Sequence, residues 1–343
     1  MQWCVLIGLS LLFGLVLELA SFPAALLIGP MLAAIVAGTH GATVRTPKLA
    51  FAGSQAVVGV LIAASLSPAI LKSFASGWPL FMAVVVATVA ASSFLGYLIS
   101  RWKIMPGTTG VWGASPGAAT AMVLMADAFG ADARLVAFMQ YLRVILVTLA
   151  AAAVARLWVD TSGVTLPRNV WFPPIEPGPF GATLAVVVLG GLLGRLARLP
   201  SPYFLGALIV GIALHLPGYT DFQLPEWLLA LAYTFVGWAI GLNFDRAILR
   251  HATRAMPQIV LSIVLLIAFC GGLAWLLVKE AGVDPLTAYL ATSPGGMDSV
   301  AIIAAASDTV NMSFVMAMQS VRFLFVLILG PPIARTIARL LKE

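Results

Sequence analysis

Trp112-Gly-Ala-Ser-Pro-Gly-Ala118, followed by Met139-Gln-Tyr-Leu-Arg143, returns later in the chain as Ala291-Thr-Ser-Pro-Gly-Gly296, followed by Met318-Gln-Ser-Val-Arg322. An offset of 178 residues carries Ser115 onto Ser293, and an offset of 179 carries Gln140 and Arg143 onto Gln319 and Arg322. Further out, 178 also aligns Gly59, Ile62 and Ala69-Ile-Leu71 with Gly237, Ile240 and Ala247-Ile-Leu249, while 177 aligns Pro23 and Gly29 with Pro200 and Gly206. One offset drifting by a residue along a whole half-chain marks an internal duplication. Unrelated apolar helices would match at scattered offsets. The chain divides on this basis into a first repeat (1–159), a Pro-rich linker (160–179) and a second repeat (180–343).

Composition says where such a repeat can live. The 343 residues are 61% hydrophobic and only 9% charged, with a mean hydropathy of +1.04. A soluble domain carries about 25% charged residues, so this chain could not cover its surface with polar groups in water. Apolar runs such as Trp78–Ser100 and Pro257–Val278 reach or approach the ~20 residues that cross a bilayer core as a helix. Strand alternation is absent, which argues against a barrel. The net charge of +6 does not gather into a nucleic-acid face; the basic residues lie between apolar spans, where the positive-inside rule puts them. No nucleic-acid partner is expected. Cys4 and Cys270 make neither a disulfide framework nor a zinc site. The run Trp3–Leu19 lacks a basic start and reads as a first transmembrane helix rather than a signal peptide.

Each repeat shows five spans and one odd segment. The spans are about 3–19, 22–39, 49–71, 78–100 and 132–156, then about 180–197, 201–217, 226–248, 257–278 and 311–334; the odd segments are 105–129 and 284–307. Arg45 and Lys48 follow span two of the first repeat, and Arg101 and Lys103 follow span four. In the second repeat Arg195 and Arg198 follow span one, Arg246, Arg250 and Arg254 follow span three, and the loop after span two carries Asp221 and Glu226 instead. The positive loops have moved by one span, so the repeats are expected to be inverted. The expected fold is therefore all-α and integral to the membrane: two inverted repeats, each of five transmembrane helices plus one re-entrant or broken segment. Both termini are then cytoplasmic and the linker around Asn169 is periplasmic. Twelve full spans, with parallel repeats, is the rival count that the charge pattern opposes.

The odd segments carry the chemistry. Ser followed by Pro is a helix-start signature, so half-helices are expected over Gly117–Asp127 and Gly295–Ala306. The arms before them, Gly107–Ala114 and Pro285–Thr292, are too short to cross: eight helical residues cover ~12 Å of a ~30 Å core. The tips are thus expected near the bilayer centre, entering from opposite faces. Half-helix N-termini offer free N–H groups and partial positive charge, natural partners for an anion. The plainer alternative is that Pro and Gly merely kink two membrane helices; paired interruptions at matched repeat positions favour a transport site.

Arg143 and Arg322 lie about eleven residues into their spans, near mid-membrane, where a charge costs at least ~2.5 kcal/mol. Gln140 and Gln319 sit one turn earlier on the adjacent face. The candidate substrate-binding set is Ser115, Pro116, Gly117, Thr120, Ser293, Pro294, Gly295, Gly296, Gln140, Arg143, Gln319 and Arg322. Against this stands the reading that each Arg simply ties a tip to its neighbour through backbone carbonyls. Asp298, whose mate in the first repeat is Thr120, is the candidate ion-coupling group, with an ion pair to Arg322 as its structural alternative. Asp127, Asp132, Asp308 and Asn243-Phe-Asp245 sit at span ends and are expected to be solvated. His40, His215 and His251 have no metal-ligand spacing; no metal, cofactor or catalytic residue is expected.

The duplicated Ser-Pro-Gly segment with its Gln-x-x-Arg helix resembles the AbrB family of bacterial membrane proteins, over nearly the whole chain. Names in that family include "regulator of aidB expression", "transcriptional regulator" and "ammonia monooxygenase"; none follows from these residues. The soluble DNA-binding protein sharing the AbrB name has an unrelated fold. The family's first motif carries an acidic residue before a Met. Here the stretch is Pro116-Gly-Ala-Ala-Thr-Ala-Met122, so no role for that acid is carried over. The resemblance implies an architecture similar to cation/proton antiporters, bile-acid-type symporters and hydroxycarboxylate carriers, an analogy of fold alone.

The expected function is secondary transport of small anionic solutes by alternating access, in the bacterial inner membrane, coupled to H⁺ or Na⁺, with a homodimer left open. A sensory or regulatory membrane protein is one alternative. A membrane monooxygenase is another; it would need a His or Cys cluster that the sequence does not offer.

Overall fold

The computed structural model describes residues 2–20, 22, 24–66, 68–117, 119–158, 171–295, 300 and 310–341. Regular structure among them is helical throughout: α1 (Gln2–Leu19), α2 (Ala25–Thr39), α3 (Lys48–Ala64), α4 (Pro68–Arg101), α5 (Thr109–Ala114), α6 (Ala119–Ala128), α7 (Ala133–Trp158), α8 (Pro177–Leu196), α9 (Pro202–His215), α10 (Glu226–Gly241), α11 (Arg246–Ala281), α12 (Pro285–Thr292) and α13 (Met312–Leu340). The chain is an all-α membrane protein. Among the described residues six stretches are long and apolar enough to cross a bilayer: Gln2–Leu19, Gly77–Arg101, Ala133–Ala151, Pro177–Leu196, Arg246–Ala281 and Met312–Leu340. The second and third expected spans of each half appear as shorter helices of 14 to 17 residues.

The third spans end sooner than expected, and the following helices begin sooner. Residues 68–71 open α4, and 246–248 open α11. The cause is local. Pro68 supplies the fixed φ that suits a first helical position, and the Asp245 carboxylate caps α11 by accepting from the Ile248 N–H at 2.8 Å. Asp245 is therefore a cap, a role usually worth about 1 kcal/mol, rather than only a solvated end. α4 carries a break at Gly77, with φ −132° and ψ 24°.

The chain gathers into two compact units, Met1–Ser67 with Arg168–His251, and Pro68–Pro167 with Ala252–Glu343. Each unit takes part of both sequence halves, so the units cut across the division into first repeat, linker and second repeat. In the first unit α1 packs on α2 and α8 on α9, and the halves interlock through α2 on α10 and α9 on α3. These contacts exchange under the duplication. A Cβ on Gly59 of α3 would lie 2.5 Å from the Phe204 carbonyl of α9; a Cβ on Gly237 of α10 would lie 2.9 Å from the Leu27 carbonyl of α2. Small residues at such crossings let backbones approach where no hydrophobic drive separates helix from lipid. Trp238 adds a polar tie, its indole N–H donating to the Ser10 hydroxyl at 2.9 Å.

The second unit holds α4 to α7 and most of α11 to α13. Here α5 lies against α4, α6, α7 and α13, and α12 lies against α13 and α7. The short arm α5 is buried along its whole length, and α12 is buried at every residue except the exposed Pro285 and the half-buried Tyr289. Each stops at the residue before a Ser-Pro pair, with Ser115 at φ −61°, ψ 123° and Ser293 at φ −51°, ψ 128°. A proline ring excludes the helical region from the residue before it, which is why both arms end at the same place.

Candidate functional site

Two clamps occupy the second unit. On α7, Arg143 donates from Nη1 to the Ser115 carbonyl at 2.6 Å and, at 3.4 Å, to that of Ala114; its Nη2 donates to the Gln140 side-chain oxygen at 2.6 Å and to the Gly117 carbonyl at 3.4 Å. The Gln140 amide in turn donates to the carbonyls of Trp112 at 2.8 Å and Ser115 at 3.0 Å. On α13, Arg322 donates to the carbonyls of Ser293 at 2.8 Å and Thr292 at 3.2 Å, and to the Gln319 oxygen. Gln319 donates to the carbonyls of Leu290 at 2.8 Å and Ser293 at 3.1 Å. The last carbonyls of α5 and α12 have no intrahelical donors; in each half an adjacent Gln–Arg pair supplies them. All four side chains are buried, at 0, 1, 1 and 4% exposure for Gln140, Arg143, Gln319 and Arg322.

The arms are pinned at their outer ends as well. The Thr109 hydroxyl accepts from the Asp132 N–H at 3.2 Å, and the Thr287 hydroxyl accepts from the Asn311 N–H at 3.1 Å. Asp132 and Asn311 also cap the helices that follow, accepting from the N–H groups of Arg134 and Phe314 at 3.0 Å. Neither outer tie was anticipated from sequence, although Thr109 and Thr287 are 178 apart and Asp132 and Asn311 179 apart. Asp132 was expected to be solvated. It is instead largely covered and ion-paired with Arg134 at 2.8 Å. Burial pushes its carboxyl up, but the Arg134 side chain and the two N–H donors at the cap outweigh that and hold its pKa below the usual value.

The tips differ from the expected N-cap geometry. The Ser115 hydroxyl donates back to the Val111 carbonyl at 2.7 Å, closing the arm rather than starting the next helix, and α6 begins only at Ala119. An extended Ser115 places its side chain over the preceding turn, within reach of that carbonyl. Pro116 and Gly117 are buried. Thr120, in the first turn of α6, is half-buried and its hydroxyl lies 3.3 Å from that of Tyr141, a neighbour of Gln140 that sequence reasoning passed over. In the second half Ser293, Pro294 and Gly295 are buried, and the Ser293 hydroxyl has no partner among the described residues. Gly296, Asp298 and Asp308, with most of the half-helix expected over Gly295–Ala306, lie outside the described residues, as does Asn169. Asp127 is exposed.

α7 joins the two broken segments. α12 packs on it, and a Cβ on Gly295 would lie 3.1 Å from Val147, one helical turn beyond Arg143. Among the described residues no carboxylate accepts from either buried guanidinium, and the Nε of each has no partner. The arrangement thus gathers two positive charges in one unit, one at each Ser-Pro break. Among the described residues no group of three His, Cys, Asp or Glu is placed to hold a metal ion.

Comparison with known proteins gives this arrangement a family. A family model described as "Transition state regulatory protein AbrB" matches residues 3–338. The chain is 45% identical over 339 residues to a protein of Escherichia coli (strain K12) named "Putative regulator AbrB", covering 98% of this chain and 97% of that one. It is 25% identical over 310 residues to "Uncharacterized protein YhjN" of Bacillus subtilis (strain 168), covering 83% of this chain and 78% of that one. The protein whose two broken segments are clamped in this way belongs to the AbrB family.

Proposed function

We propose that this chain is a secondary transporter of small anionic solutes, working by alternating access in the bacterial inner membrane. The observation that carries the proposal is the pair of matched Gln–Arg clamps on two interrupted segments inside one unit. Interrupted helices at corresponding repeat positions are how many transporters build a substrate site, with half-helix N-termini aimed at anionic groups. Two buried guanidiniums with no carboxylate on them among the described residues favour an anion as the missing counter-charge. Their Nη1 donors are already spent on backbone carbonyls, and their Nη2 groups donate to the glutamine side-chain oxygens. In this account Arg143 and Arg322 position the tips and set the local field, and the solute is held by the tip backbone, Thr120 and the half-helix starts. Asp298 is the ion-coupling group for H⁺ or Na⁺. The halves are inverted repeats, and no enzymatic step is part of the cycle.

A regulatory role without transport is the second reading, favoured only by the name of the Escherichia coli relative. Thermal-shift measurement of the purified chain against panels of organic anions and organic cations, at several pH values with and without Na⁺, separates the readings. Stabilisation by one class of anion, modulated by Na⁺ or pH, is the expected result. Stabilisation only by cations, or by nothing in either panel, counts against anion transport.

A further inference from the structure

α11 is 36 residues long, about 54 Å as a helix, against roughly 40–45 Å for a bilayer with its headgroups. Its apolar run begins at Pro257. The eleven residues before that are of another kind. Arg246, Arg250 and Arg254 recur every fourth residue and are all exposed, while Ala252, Ala255 and Ile259 are buried. Spacing of four keeps the three guanidiniums within an arc of about 80° and spreads them over ~12 Å of helix. No acidic residue occurs from Arg246 to Val278. The duplication does not repeat this stripe: the matching positions in the first half are Pro68, Lys72 and Ser76. A general rule of basic loops would not concentrate three arginines on one helix face at the edge of a span.

We infer that the Arg246–Arg250–Arg254 face of α11 binds the headgroups of anionic phospholipids. The inference rests on the reading that α11 crosses the membrane, but not on transport. A helix leaving the hydrocarbon at Pro257 brings Arg254 to the depth of the phosphates, and the next two turns carry Arg250 and Arg246 along the headgroup layer. Guanidinium groups match phosphate oxygens in forked geometry, which an ammonium does not. Basic groups at an anionic surface each contribute about fivefold to association.

The test uses the full-length chain reconstituted in phosphatidylcholine vesicles, with trace spin-labelled phosphatidylglycerol or phosphatidylcholine. The measured quantity is the ratio of protein-associated fractions for the two lipids. Arg246 is left in place because its Nε donates to the Thr39 carbonyl at 3.3 Å. The double variant Arg250→Gln/Arg254→Gln is compared with the control pair Arg195→Gln/Arg198→Gln, which removes two exposed arginines elsewhere. If the double variant does not purify, Arg254→Gln alone is read against Arg198→Gln. The wild type is expected to prefer phosphatidylglycerol several-fold. The α11 variant should lose most of that preference and the control pair little of it. No preference in the wild type, an unchanged α11 variant, or an equal loss in the control pair each overturns the inference. Failure of the chain to insert in any vesicle would instead overturn the membrane reading beneath it.

Discussion

Arg143 reaches from α7 to the Ser115 carbonyl, 2.6 Å from its Nη1, and so ties the end of a helical arm to a helix residue 28 positions further along the chain. Arg322 does the same for Ser293. A guanidinium bridging consecutive carbonyls and a glutamine oxygen is a fork that lysine cannot copy. Arg143→Lys keeps the charge and loses the bridge. Charged hydrogen bonds contribute about 1.5–3 kcal/mol each, so the purified variant should unfold at a clearly lower temperature, and Arg322→Lys should show the same effect. A Lys variant as stable as wild type would remove the clamp from the account.

Gln140 and Arg143 should also be coupled. Both address the Ser115 carbonyl and they bond one another. In a cycle of Gln140→Leu, Arg143→Met and the double variant, the interaction should be at least about 0.5 kcal/mol, as for residues sharing a network. Additive losses would mean two independent ties.

In the first unit the close crossings should tolerate no added methyl. A Cβ on Gly59 would stand 2.5 Å from a backbone carbonyl, whereas one on Gly53 would meet nothing within 4 Å. Gly59→Ala should lower stability by about 1–3 kcal/mol, with Gly237→Ala behaving alike, and Gly53→Ala should not destabilise. Thermal unfolding in one detergent reads all three.

The ends of the arms α5 and α12 were legible because a proline after a serine is a property of sequence alone. The clamps were half legible. Mid-span arginines announced themselves by their cost, but whether they faced a solute or a carbonyl depended on where the arms ended, which the Ser-Pro backbone decides. Ser115 misled: a Ser before Pro reads as an N-cap, yet with the chain extended there its hydroxyl falls back on Val111. Thr109 and Thr287 look like ordinary apolar-run threonines until the loops before α7 and α13 are seen folding onto them. The lengths of the third spans were misjudged because Leu66 and Leu242 continue an apolar run through a turn.

Asp132 gives a pH prediction with a definite sign. Its carboxyl sits below its ordinary value in the folded chain, so the stabilisation it confers is present above the unfolded value of about 3.9. That stabilisation is lost as pH falls through the folded value. Relative to wild type, Asp132→Asn should be less stable at pH 6, and the difference should shrink below about pH 4. A difference that holds constant down the acid range would assign the Asp132 contribution to packing rather than charge.

Orientation is tested at Asn169. With Cys4 exposed and Cys270 buried, Asn169→Cys in a Cys4→Ser background offers one outward-reading thiol. The inverted arrangement places it in the periplasm, open to a membrane-impermeant maleimide in intact cells. Labelling only after permeabilisation would favour parallel repeats.

The most direct measurement is counterflow. Proteoliposomes containing the purified chain are loaded with an anion that stabilises it, then diluted into a trace of the same anion in labelled form. Transient accumulation of label is predicted, retained in Asp298→Asn vesicles when exchange needs no coupling ion, while ion-driven uptake by that variant is lost. Tight binding of the anion with no counterflow in the wild type would contradict transport and leave a membrane receptor in its place.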